Sequence, residues 1–148
     1  MGWIDSLRGN IVAIDTAPLI YFIEENPAYV TVVDPFFEAL QHGEFAVTSV
    51  MSLLEALVVP LRRGDTDLAR KYRDILSKTR GLTTMSIFSS IAEEAAKLRA
   101  SYNIRTPDAI QMATATSARA KFFLTNDKRL PSLPGLQVLV LDDLKKDQ

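Results

Sequence analysis

A chain of 148 residues with 47% hydrophobic content and a formal net charge of −1 is long enough to bury one sizeable core, so a single domain over 1–148 is expected, with its core at about 11–144. The absence of cysteine excludes disulfides, thiolate zinc sites and cysteine nucleophiles, and the lone His42 excludes a histidine cluster. No secretory signal pattern opens the sequence and no apolar run approaches the roughly 20 residues of a membrane span, so a soluble, cytoplasmic protein without membrane partners is expected.

In chain order, "IVAID" from Ile11 reads as a short buried strand, and "APLIYFIEE" as a helix that Pro18 enters near its first turn. "YVTVVDPFFEALQHG" has a β-branched start, but Phe36, Phe37, Leu40 and the closing Gly43 argue for a helix kinked at Pro35. "EFAVTS" is a second strand. "VMSLLEALVVPLRRG" reads as a mostly buried helix ending near Pro60 to Gly64, followed by an amphipathic helix over 65–78. On the latter Leu68, Tyr72, Ile75 and Leu76 form the apolar stripe, with Arg70, Lys71 and Arg73 off it.

"GLTTMSI" is a third strand, and "SSIAEEAAKLRASYN" a helix opened by Ser89 or Ser90. In "NIRTPDAIQMATA", Thr106, Pro107 and Asp108 read as N-cap, N1 and N2 of the next helix. "KFFLTND" is a fourth strand, "RLPSLPG" a turn-rich connection and "LQVLVLDDL" a fifth strand. Near-continuous apolar strands separated by helices predict an α/β protein, a three-layer α/β/α sandwich around a parallel sheet of four to five strands. "MGWIDSLRGN" and "KKDQ" read as peripheral.

Charge is uneven along the chain. The first 60 residues hold eight acids and one basic residue, Arg8, whereas residues 62–129 hold fourteen Lys or Arg against seven acids. Such a basic half can present a face to an anionic partner, although solvated helix faces account for it equally.

Four carboxylates stand in apolar settings. Asp15 is the only charge between Ile11 and Phe22 and sits where a strand hands over to a helix, a place equally suited to ligand binding and to helix capping. From Val50 to Leu61 only Ser52, Glu55 and Pro60 are not apolar, so Glu55 needs a partner, a raised pKa or a metal ion. Asp127 ends the fourth strand, and Asp108 opens the helix leading into it. If the first and fourth strands are parallel neighbours, these acids share one edge of the sheet and Glu55 reaches them from its helix. Such a cluster repels itself unless a cation neutralises it, and all-oxygen ligands suit Mg²⁺ or Mn²⁺. The chemistry implied is phosphodiester hydrolysis by a metal-activated water.

"IVAIDTAPLIYFIE", "VTSVMSLLEALVVPLRRGD", "TPDAIQMATA" and "FFLTNDKRL" come in the order and spacing of PIN-domain proteins, and the chain resembles the VapC-type toxin ribonucleases among them. The resemblance implies metal-binding catalytic roles for Asp15, Glu55, Asp108 and Asp127, with Asp15 and Asp108 as direct ligands. It implies supporting roles for Thr16, Thr125 and Asn126. It also implies an RNA substrate and a small antitoxin partner. Arg62, Arg63, Arg105, Lys128 and Arg129 are candidates to hold the RNA backbone.

Two positions depart from the family pattern. Ala17 and Pro18 stand where many relatives have a polar residue, and Arg129 stands where many have a further acid, which points to one well-held ion. A haloacid-dehalogenase-like phosphatase would need an aspartate at Ala17. A non-catalytic PIN-like module binding RNA or protein is the competing reading. "PLIYFI" and "VVDPFF" are candidates for a homodimer contact, or simply for core.

Overall fold

Four apolar residues without polar interruption, Ile11–Ile14, form strand β1 at the centre of a five-stranded sheet in this computed structural model, which describes residues 2–146. Its neighbours are β2 (Phe45–Ser49), β3 (Leu82–Met85), β4 (Phe122–Thr125) and β5 (Gln137–Val140), in the order β3-β2-β1-β4-β5. Every adjacent pair is parallel, with Val12 opposite both Ala46 and Phe122. Parallel strands need crossovers, and helices supply them. Helices α2 (Thr16–Ile23) and α3 (Val30–Gln41) join β1 to β2, α4 (Val50–Arg63) and α5 (Thr66–Lys78) join β2 to β3, and α6 (Ser89–Ser101) and α7 (Thr106–Ser117) join β3 to β4.

Alternation along β1 divides the core into two layers. Val12 and Ile14 meet Leu19, Val32, Phe36 and Leu40 on one face, while Ala13 meets Ile91, Leu98, Met112 and Phe123 on the other. The chain moves outward from β1 through β2 to β3 and then returns to pair β4 with the other side of β1. This reversal opens a crevice at the carboxyl ends of β1 and β4, the usual ligand position in open α/β sheets.

The ambiguous stretch before β2 is helix α3, because Val32, Val33, Phe36, Phe37 and Leu40 are buried at helical spacing and Pro35 is tolerated within it. Together with Pro18, Leu19 and Ile23 they make "PLIYFI" and "VVDPFF" core segments. Among the described residues no helix is long and apolar enough to cross a membrane.

Other expectations need correction. The amino-terminal segment is not peripheral: helix α1 (Trp3–Ser6) lays Trp3 on Phe36, with ring centroids 5.9 Å apart, and buries Leu7. Helix α4 is not mostly buried. Only Ser52, Ala56 and Pro60 are inside, while Leu54, Val58, Val59 and Leu61 are exposed, because a helix lying on a sheet covers only one of its faces. The cap of α7 is Arg105 and that of α6 is Phe88, neither with a side-chain cap bond, so Thr106 and Ser89 lie one position inside their helices. The run "LQVLVLDDL" splits into β5 and a short helix α8 (Leu141–Lys145), whose first turn takes Asp142 and Asp143 at the favourable end of its dipole. Of the "KKDQ" tail, residues 147–148 lie outside the described residues.

The entrance to β3 turns on Gly81, whose φ is +82° and whose carbonyl accepts the Ala46 N–H at 2.7 Å. A Cβ there would lie 2.6 Å from the backbone oxygen of Glu44. Gly81→Ala is therefore expected to lower stability by roughly 1–3 kcal/mol. The check is a fall in the urea midpoint at unchanged slope, and an unchanged midpoint would refute the assignment.

Candidate active site at the carboxyl edge of the sheet

Asp15 follows β1 directly and caps α2. Its backbone N–H donates to the Leu124 carbonyl of β4 at 2.9 Å, and its Oδ1 accepts the Thr16 N–H at 2.8 Å. Its Oδ2 accepts the Thr125 hydroxyl at 2.7 Å, so capping one helix leaves the second oxygen directed by β4. Thr125 Oγ1 also accepts the Asp127 N–H at 3.1 Å, and one hydroxyl thus links two of the acids.

Glu55 is only partly buried, and its partner is a hydroxyl rather than an arginine: Thr16 Oγ1 donates to Oε1 at 2.6 Å. Behind this contact lies a buried polar chain. Thr48 donates to the Ile14 carbonyl at 2.8 Å, which leaves Ser52 to donate to Thr48, also at 2.8 Å. Gln111 Nε2 then supplies one hydrogen to Ser52 at 2.7 Å and the other to Thr16 at 3.2 Å, and Thr16 passes its own to Glu55. Ser52 Oγ also lies 3.2 Å from Thr16 Oγ1, but the shorter contact assigns the Thr16 hydrogen to Glu55, and no buried side-chain polar atom among the described residues lacks a partner. Thr48, Ser52 and Gln111 were not among the expected site residues. The signal of Ser52 and Gln111 was present as polar positions three residues before Glu55 and three after Asp108, on the same faces of two helices rich in apolar residues.

Asp108 is buried in the first turn of α7, which lies against β1 and β2 because Ala109, Ala113 and Ala115 are fully buried small residues. A cleft of about 380 Å³ is lined by Asp15, Thr16, Glu55, Asp108, Thr125, Asn126 and Asp127, together with Ala17, Tyr21, Arg105 and Arg129. A second cleft of about 270 Å³ shares Arg105, Asp108, Asp127 and Arg129 with it and extends to Asn103 and Leu130. Arg62, Arg63 and Lys128 are exposed but line neither. A larger cavity of about 770 Å³ lies between α1 and α3 and holds none of the four acids.

The electrostatics divide the acids. Burial pushes the Asp15 carboxyl up to about 6; the Thr125 and Thr16 hydrogen bonds oppose this, and repulsion from Asp108 and Glu55 adds to it. Asp127 goes the other way, because the Arg129 guanidinium grips both its oxygens at 3.0 Å and holds it below the usual carboxylate range. Arg105 Nε stands 3.3 Å from Asp108 Oδ2. Both guanidiniums are over 70% exposed, at 71% for Arg105 and 79% for Arg129, so these pairs are weak and exchangeable.

Among the described residues no three His, Cys, Asp or Glu side chains are grouped so that they could hold a metal ion as they stand. The chemistry of the donor set nevertheless fits a hard divalent cation: Asp15, Asp108 and Glu55 offer carboxylate oxygens, and their mutual repulsion is what such an ion would relieve. Asn126 is turned elsewhere, donating to Tyr21 and Tyr29 and accepting the Asp142 N–H at 3.0 Å.

An unfolded aspartate loses its proton near pH 3.8, and folded Asp15 near 6. Between these values the native state holds a proton that the unfolded state has released, so the stability contributed at low pH is lost as pH rises through about 6. In the presence of a chelator, the melting temperature of Asp15→Asn should therefore gain on that of the wild type between about pH 4 and about pH 7. A difference independent of pH would show that Asp15 titrates normally.

The PIN domain family model matches residues 12–136. No curated protein matches the sequence. Among solved structures, VapBC2 from Rickettsia felis, bound to a DNA fragment from its promoter, superposes with a TM-score of 0.69 at 17% identity, covering 88% of this chain and 98% of that one. A toxin-antitoxin complex from Klebsiella pneumoniae gives 0.62 at 24% identity, covering 84% and 94%. The Sarcin-Ricin loop cleaving toxin VapC20 of Mycobacterium tuberculosis gives 0.58 at 16% identity, covering 76% and 86%. The five-stranded parallel sheet, the position of the acids at its reversal point and the family match over most of the sequence agree: the chain belongs to the PIN domain family.

Proposed function

We propose that this chain is a divalent-metal-dependent endoribonuclease and the toxin of a toxin–antitoxin pair. The observation that carries the enzymatic reading is the coupling of Asp15, Asp108 and Glu55 in one cleft at the carboxyl edge of the sheet. Unpaired, three such acids would oppose folding, and the chain holds Asp15 by Thr125 and Thr16, Glu55 by Thr16 and Asp108 by Arg105 rather than replacing them by apolar residues. The toxin reading is supported by the toxin–antitoxin assemblies from Rickettsia felis and Klebsiella pneumoniae and by the RNA-cleaving toxin from Mycobacterium tuberculosis, all of which share the fold.

On this reading Asp15, Asp108 and Glu55 would hold Mg²⁺ or Mn²⁺, and the ion would supply charge neutralisation and ease the deprotonation of the water that attacks phosphorus. The chain's own groups do the rest. Thr125 and the Thr16 N–H fix both oxygens of Asp15, so no reorganisation is needed when charge develops. Asp127 orients the attacking water once Arg129 leaves it. Arg129 and Arg105, weakly paired and at the junction of two clefts, transfer to the substrate phosphates. An antitoxin segment would lie along the same groove.

The engagement of Asp108 and Asp127 by the chain's own arginines favours a second reading, a binding module in which the acids are structural. The purified protein should cleave a panel of RNAs in Mg²⁺ or Mn²⁺ and be silent with chelator. Asp15→Asn and Asp108→Asn should reduce the rate by roughly 100-fold or more while keeping a cooperative melt. A wild-type protein that cleaves none of them and shows no Mn²⁺ uptake by calorimetry would leave the binding module in its place.

A further inference from the structure

One aromatic ring stands in the otherwise polar wall of the carboxylate cleft. Tyr21, on α2, lines it with Asp15, Asp108 and Asn126 and is partly exposed. Its ring is stacked on that of Tyr29, with centroids 4.1 Å apart and planes 6° from parallel. Lys145 Nζ lies 4.4 Å from the Tyr29 centroid. Two groups so close to one centroid occupy opposite faces of the ring, so the order is Lys145, Tyr29, Tyr21; Tyr21 is braced in part by the apolar core, and among the described residues no further ring extends the stack beyond it.

Tethers at the hydroxyls hold the stack. Asn126 Nδ2 donates to Tyr29 Oη at 3.0 Å and to Tyr21 Oη at 3.3 Å, and Tyr29 donates to Asp142 Oδ1 at 2.7 Å. Asn126 follows Thr125, the residue that directs Asp15, so ring planes and carboxylates are registered by consecutive positions of the same chain segment.

We propose that Tyr21 is the platform on which an unpaired nucleobase stacks beside the phosphate held at the carboxylates, an assignment that rests on the nuclease reading. A rigid, partly exposed ring next to a phosphate site suits a base, since every base has a π face and stacking needs no specific hydrogen bond. The substrate class follows: RNA in which the nucleotide beside the scissile phosphate is single-stranded or extruded, rather than part of a continuous duplex.

The test uses short RNAs carrying 2-aminopurine at successive positions, with Ca²⁺ in place of Mg²⁺ for binding and Mg²⁺ for cleavage. Fluorescence should be quenched at one position in the wild type and in Tyr21→Phe, and not in Tyr21→Ala. In cleavage, Tyr21→Ala should raise KM by roughly 5- to 100-fold. An abasic nucleotide at the quenched position should raise KM similarly for the wild type and add nothing for Tyr21→Ala. If the abasic penalty is the same in both proteins, or a continuous duplex is cut as readily, the platform is overturned and the nuclease reading stands. Quenching that depends on Tyr21 without any cleavage would keep the platform and sink the nuclease reading, and no binding by any of the RNAs would sink both.

Discussion

The pairing of β1 with β4 is the constraint on which the site depends. The Asp15 N–H completes that ladder at the Leu124 carbonyl, and the next residue of β4, Thr125, then faces the Asp15 carboxylate. A slip of one residue would turn Thr125 to the other face of the sheet and remove the hydroxyl that directs Asp15. Register is set by the apolar alternation of Val12, Ala13 and Ile14 against Phe122, Phe123 and Leu124, so the geometry of the acids is determined by residues that never touch a ligand.

The second requirement is that helices α2, α4 and α7 meet above that edge at fixed height. Ser52 from α4, Thr16 from α2 and Gln111 from α7 bind one another behind the wall of the cleft, all three buried, and Thr48 ties them to the β1 carbonyl. In a low-dielectric interior such a network is useful only when complete, because one missing partner leaves a buried polar atom unsatisfied. The small side chains of α7 allow the close approach, and the buried polar chain sets its depth.

The parallel sheet, its helices and the four acids were legible in the sequence because each leaves a local mark: apolar runs of strand length, and carboxylates isolated among apolar neighbours. Ser52 and Gln111 were visible only as polar interruptions, since their role depends on which helices the fold brings together. The exposure of Leu54, Val58 and Leu61 could not be read from hydropathy, which ranks residues and not faces. Arg105 and Arg129 read as phosphate ligands, yet in this structure they lie on Asp108 and Asp127, because the nearest opposite charges belong to the cleft itself.

The hydrogen-bonded chain behind Glu55 runs in one direction, from Gln111 through Thr16, and has an acceptor only at its end. Its polarity makes it a mould for a side chain: the Thr16 hydroxyl, which takes a hydrogen from Gln111, presents its own to Oε1 and so sets where that oxygen sits. The fold thus encodes the place of that oxygen in the orientation of uncharged groups, several of them wholly enclosed and none of them acidic or basic.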